Sequence, residues 1–152
     1  MALIIATGSN LGDRIQNLNN VKNRLSEDFK LIAQSKIYTS GAVDYLEQPD
    51  FANQVLQFAL PWQSPVKVME QLLQIEKEFG RTRDVSRGPR IIDIDIIFWG
   101  IEVIHSPSLD VPHPRWDQRS FVVRPLMELP FFHLIEKCFT IPSSFEVEAF
   151  PI

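Results

Sequence analysis

Ile91–Gly100, IIDIDIIFWG, is the stretch on which the fold turns. Isoleucine alternates with aspartate and then gives way to an apolar run, which is how a strand's two-residue period reads. Ile92, Ile94 and Ile96 share one face and point toward a core; Asp93 and Asp95 share the other. Upstream, residues 2–7 (ALIIAT) read as a short buried strand, followed by the turn GSNLGD, where Asp13 or Asn10 can cap a helix. Ile15, Leu18, Val21 and Leu25 recur at helical spacing and predict an amphipathic helix over 12–26. Phe29–Thr39 alternates in part and predicts a strand, and SGAVDYLEQPD (40–50) is a loop by its Gly, Pro and Asp content. Ala52–Leu60 alternates again, as a strand with both faces at least partly covered. Ser64-Pro65 starts a second helix, and Gly80 ends it.

The polar loop RTRDVSRGPR (81–90) leads into the aspartate strand, and a short strand IEVI (101–104) turns from it at Gly100. A short helix is expected near 119–128, and the remaining C-terminal part is apolar and irregular. The order β-α-β-β-α-β is the split βαβ arrangement of an α+β, ferredoxin-like fold. We expect an antiparallel sheet with two helices on one face, a single domain over 1–152 and a C-terminal extension.

A chain of 152 residues with 45% hydrophobic and 22% charged residues can bury a core without disulfides, and its single cysteine forms no internal one. Cys138 sits in the apolar run EKCFTIP and reads as packing. The start of the chain has no basic region or small-residue cleavage site, and no stretch approaches the length of a membrane helix, so a cytoplasmic setting is expected. A net charge of -4 argues against a general nucleic-acid binder. That average hides a bias: seven of the nine arginines lie between residues 81 and 124, where there is no lysine. Arginine's planar fork suits phosphate or carboxylate, although surface salt bridges explain such a bias equally well.

The chemistry-bearing residues gather around the aspartate strand. Asp93 and Asp95 are about 7 Å apart at their bases, by two residues of strand rise, and can lean onto one divalent cation or a close pair. Oxygen ligands suit Mg²⁺; ordinary solvated aspartates are the other reading. Arg81, Arg83, Arg87 and Arg90 precede the pair, and metal beside arginines is what a polyphosphate group requires. A second basic cluster, VPHPRWDQRSF (111–121), holds His113 between prolines and Arg119 six residues on. His105 and His133 read as structural or surface residues. The chain has no P-loop and no G-x-G-x-x-G, so side chains and metal must hold any phosphates.

Together, GSNLGDR, QPDFANQV, FGRTRDVSRGPRIIDIDIIFWG and VPHPRWDQRSFVVRPLMEL closely resemble the 6-hydroxymethyl-7,8-dihydropterin pyrophosphokinases of folate biosynthesis, over about residues 4–130. The resemblance implies a ferredoxin-like enzyme that moves pyrophosphate from ATP to the pterin hydroxymethyl group, releases AMP and uses two Mg²⁺ ions. It implies metal ligation by Asp93 and Asp95, ATP phosphate contacts by Arg81, Arg83, Arg90, His113 and Arg119, and a catalytic part for Arg81, Arg90 and Asp95. Ala42, Val43, Phe51, Asn53 and Phe121 match the pterin side, with Asn53 on the ring edge and Phe121 stacking. The implied partners are ATP and the pterin, without nucleic acid or membrane, and the chain is expected to be a monomer.

Three positions depart from the family pattern. Phe51 stands where tyrosine is common, loop 40–50 lacks a proline pair, and Arg87 takes a place where an aromatic can occur. A Mg²⁺-dependent nucleotidyltransferase and a non-catalytic ferredoxin-like binding module are the alternatives.

Overall fold

The computed structural model describes residues 1–40, 50–80 and 91–152. Its main sheet is antiparallel, built on β1 (Ala2–Ser9) with β4 (Phe51–Ala59) on one side and β5 (Asp93–Trp99) on the other. Beyond β4 come β3 (Tyr38–Ser40) and β8 (Phe150–Pro151), while β2 (Leu31–Gln34) pairs with the far half of β4. Helices α1 (Arg14–Asp28) and α2 (Pro65–Glu78) cover one face. This is the expected ferredoxin-like α+β arrangement.

Local chemistry sets the helix ends. The Asp13 carboxylate accepts from Gln16 N–H at 3.1 Å and caps α1, so the helix starts two residues later than the apolar spacing suggests. Ser64 caps α2 with Pro65 at its first position. Gly80, at φ +78°, ends it in a conformation that side chains disfavour. Arg24 joins the two helices at their ends, donating to Glu78 at 2.9 Å and Asp28 at 3.0 Å.

Ile92, Ile94 and Ile96 pack toward α1 and α2 with Leu3, Leu18 and Leu72, as their alternation requires. A bulge then shifts the β1–β5 register between Ile4 and Ile5. Ile97 faces a second core on the opposite side by simple alternation, and the bulge lets Phe98 join it there while Trp99 returns to the first.

That second core was not evident from the sequence. It is formed by α3 (Ser120–Leu126), α4 (Phe132–Cys138) and a 3₁₀ turn at Trp116–Gln118 packed on the sheet face away from α1 and α2. Phe98, Trp116 and Phe139 form its aromatic centre, with ring centroids 5.0–6.0 Å apart. The supposedly irregular C-terminal part therefore contains a helix and an edge strand. Cys138 is exposed rather than packed, because α4 turns Ile135 inward and leaves the thiol outside.

The expected single strand over Phe29–Thr39 is two strands. Between them one backbone bond, Ser35 N–H to Val55 O, persists, while Val55 N–H donates to Ser35 Oγ and Lys36 N–H to the Glu128 carboxylate, both at 3.0 Å. The strand expected over 101–104 begins at Ile104, where β6 (Ile104–His105) pairs with β7 (Asp110–Val111); Gly100, at φ +56°, makes the turn before it. Among the described residues, no helix is long and apolar enough to cross a membrane.

Candidate active site

A cavity of about 570 Å³ opens on the sheet face away from α1 and α2. Its floor follows from strand register. Gly8 lies between Asn53 on β4 and Asp93 on β5, and Ala6 faces Asp95. All five residues line the cavity. Asn53 and Asp93 are therefore two strand spacings apart, about 10 Å, with almost no side chain between them. A Cβ at Gly8 would stand 3.3 Å from Asn53 Oδ1 and 3.5 Å from the Phe51 ring, so glycine leaves that side chain its place and keeps the floor low.

The two ends of the cavity differ in chemistry. At one end, Asp93 and Asp95 are half-buried on β5, on the face opposite the isoleucines. Glu76 of α2, itself buried, accepts from the backbone N–H of Ile94 between them at 2.9 Å. The carboxylate pair thus stands on a strand fixed from behind. At the other end Asn53, 6% exposed, donates to Ser40 Oγ at 2.8 Å, which fixes the amide plane. Phe51 and Phe121 line the cavity with them.

The wall over the floor comes from the segment after β7. His113 N–H donates to Ile97 O at 2.9 Å, and Trp116 anchors the segment in the second core. Arg115, Arg119 and Phe121 are thereby brought to the cavity, with the Arg119 guanidinium 5.6 Å from the Phe121 ring centre. Burial pushes the His113 imidazole down to about 4, helped by the positive charge of Arg119 and opposed by Asp93. At neutral pH the ring is uncharged. Its Nδ1 accepts from Arg115 N–H at 3.2 Å, which puts the ring proton on Nε2 and makes that atom a donor.

The structure thus brings together six residues singled out from sequence: Phe51, Asn53, Asp93, Asp95, Arg119 and Phe121. His113 is not among the residues that line the cavity; its backbone is tied to β5 and its Nδ1 to the Arg115 N–H. Ala42, Val43, Arg81, Arg83, Arg87 and Arg90 lie outside the described residues.

Gly8, Ser40, Arg115 and residues 144–147 also line the cavity and carried no site assignment from sequence. Arg115 had a signal, its place in the basic cluster beside His113. Gly8 read as part of a turn but lies in β1, and nothing local marks residues 144–147 as a wall. No cluster of three or more His, Cys, Asp or Glu side chains able to hold a metal occurs among the described residues. Two carboxylates on one cavity wall fit a divalent cation that keeps waters and substrate oxygens in its shell, as Mg²⁺ does.

Fold and site together define a small ferredoxin-like α+β protein with a cleft that is acidic at one end and amide- and aromatic-lined at the other. The sequence model of the 7,8-dihydro-6-hydroxymethylpterin-pyrophosphokinase (HPPK) family matches residues 4–130, and the chain belongs to that family.

It is 39% identical to the 2-amino-4-hydroxy-6-hydroxymethyldihydropteridine pyrophosphokinase of Bacillus subtilis, over 82% of this chain and 75% of that protein. The protein of the same name from Aquifex aeolicus is 38% identical, over 82% of this chain and 78% of its own length. The folic acid synthesis protein fol1 of Pneumocystis carinii is 39% identical over 84% of this chain. There the chain spans 17% of a much longer protein, and it spans 19% of the Dictyostelium discoideum relative.

Proposed function

We propose that this chain transfers the pyrophosphoryl group of ATP to the hydroxymethyl oxygen of 6-hydroxymethyl-7,8-dihydropterin and releases AMP, as a step of folate synthesis. The observation that carries this reading is the two-ended cavity of a chain in the HPPK family: a carboxylate pair about 10 Å from a buried amide, across a floor of Gly8 and Ala6. A flat, hydrogen-bonding ring suits the Asn53 end, between Phe51 and Phe121, and a triphosphate suits the end with Asp93 and Asp95, with Arg115 and Arg119 on the same cavity lining.

Asp93 and Asp95 would hold Mg²⁺, two ions by family resemblance, with ATP phosphates completing the shell. When bound, the metal supplies charge neutralisation on phosphate oxygens and acidifies an attached hydroxyl. The chain's own residues do the rest. Asn53 orients the ring edge, and its bond to Ser40 keeps donor and acceptor in fixed places. Arg115 and Arg119 offer forked donors to the phosphates. His113, neutral with its proton on Nε2, offers a further donor if ATP binding brings a phosphate oxygen to it.

By resemblance, Arg81, Arg83 and Arg90 add positive charge around the β- and γ-phosphates, and Arg81 and Arg90 take part in the chemical step. Ala42 and Val43 border the pterin. The hydroxymethyl oxygen then attacks the β-phosphorus in line, and AMP leaves. Positioning and charge neutralisation supply the catalysis, which needs no protein nucleophile.

The test is to mix the protein with MgATP and 6-hydroxymethyl-7,8-dihydropterin and identify the nucleotide product. AMP, formed only when the pterin is present, is the expected result. ADP would mean transfer of the γ-phosphoryl group, free pyrophosphate would mean nucleotidyl transfer, and no product would leave a binding module.

A further inference from the structure

Residues 143–148 form a strap across one end of the cavity, beyond the family match at 4–130. Arg124 of α3 holds it in three ways. Its guanidinium donates to the Glu148 carboxylate at 3.0 and 3.3 Å, donates to Ser143 O at 3.1 Å, and lies 5.1 Å from the Phe145 ring centre. Ser120, at the start of α3, donates its hydroxyl to Val147 O at 2.6 Å. Past the strap, β8 pairs with β3, and Ile152 N–H donates to Ile37 O at 2.8 Å.

Every anchor belongs to the amide and aromatic end. Ser120 precedes Phe121, and β3 carries Ser40, the partner of Asn53. The acidic pair stands on β5, at the opposite edge of the sheet. Phe145 and Val147 line the cavity and add apolar side chains to its wall.

We propose that this strap is the outer wall of the ring-binding end and that Arg124 and Glu148 are positioning residues for the ring substrate. The assignment rests on the ring reading of the Asn53 end given above. It makes the strap a determinant of ring affinity, with no part in holding ATP. The pinned segment presents Phe145 and Val147 before the ligand arrives, so ring binding does not bear the cost of ordering it.

The experiment is a calorimetric titration of the full chain with 6-hydroxymethyl-7,8-dihydropterin in the presence of a non-hydrolysable MgATP analogue, and separately with that analogue alone. Arg124→Glu and Phe145→Ala should each weaken pterin binding about tenfold or more and leave analogue affinity within about twofold. Arg124→Glu combined with Glu148→Arg restores the ion pair and should recover most of the pterin affinity. The double variant and Phe145→Ala carry the test if Arg124→Glu alone fails to fold.

Equal losses for pterin and analogue, or wild-type pterin affinity in the folded variants, overturn the strap assignment. Wild-type protein that takes the analogue but no pterin overturns the ring reading and the strap with it.

Discussion

Asp93 and Asp95 are the acidic residues of the main sheet's described strands, and they share one cavity wall on a strand fixed from behind. Asp95→Ala should lower turnover at least about a hundredfold, because it removes charge organisation at the phosphates, while the melting temperature stays near wild type. Steady-state kinetics beside a thermal melt separates the two effects. Gly8→Ala tests the other end. The added methyl presses on Asn53 Oδ1 and the Phe51 ring, so KM for the pterin should rise about tenfold while KM for ATP holds.

His113 gives a pH signature. Its folded pKa, about 4, lies below the unfolded value near 6.5, so the unfolded chain binds a proton that the folded one refuses. In the metal-free protein, stability should therefore decline as pH falls from about 6.5 toward 4. His113→Gln should flatten that part of the curve in urea titrations. The aspartates were legible from sequence because a period of two puts them on one face whatever the tertiary structure does. Gly8 was not, since its importance lies in a missing Cβ between two side chains more than forty residues away.

At the scale of elements, the clearest lesson is Glu76. On the helical pattern of α2 it reads as one more residue of the apolar side, yet it is 3% exposed and accepts the Ile94 N–H. Glu76→Ala leaves that buried amide without this acceptor and should cost about 1–3 kcal/mol in urea denaturation. Glu76→Gln keeps an acceptor oxygen and should lose much less.

Both long helices and the three long strands were legible, since each carries a sustained period and, for the helices, a cap. The division of β2 from β3 was not, because it depends on Glu128, some ninety residues along the chain, accepting from Lys36 and Tyr38. Nor were α4 and β8, whose seven and two residues are too short to display a period.

The whole molecule is a sheet between two cores, and the division of labour follows from it. The core under α1 and α2 carries the ferredoxin-like frame. The core on the other face, built largely from residues after Val111, raises the walls of the cavity and carries the segment that closes one end. That second layer explains why the site was only half legible. Its floor is set by strand register, but its walls come from loops and a C-terminal strap whose placement depends on distant contacts. The net charge of -4 likewise gave no hint of a stretch, 81–124, where seven arginines meet six acids and three of those acids, Asp93, Asp95 and Asp117, line the cavity.

The central claim concerns which bond of ATP breaks, and a single turnover with ATP labelled at the β-phosphorus reads that directly. Pyrophosphoryl transfer puts the label on the pterin and leaves unlabelled AMP. Label retained in ADP, or released as free pyrophosphate, would contradict it.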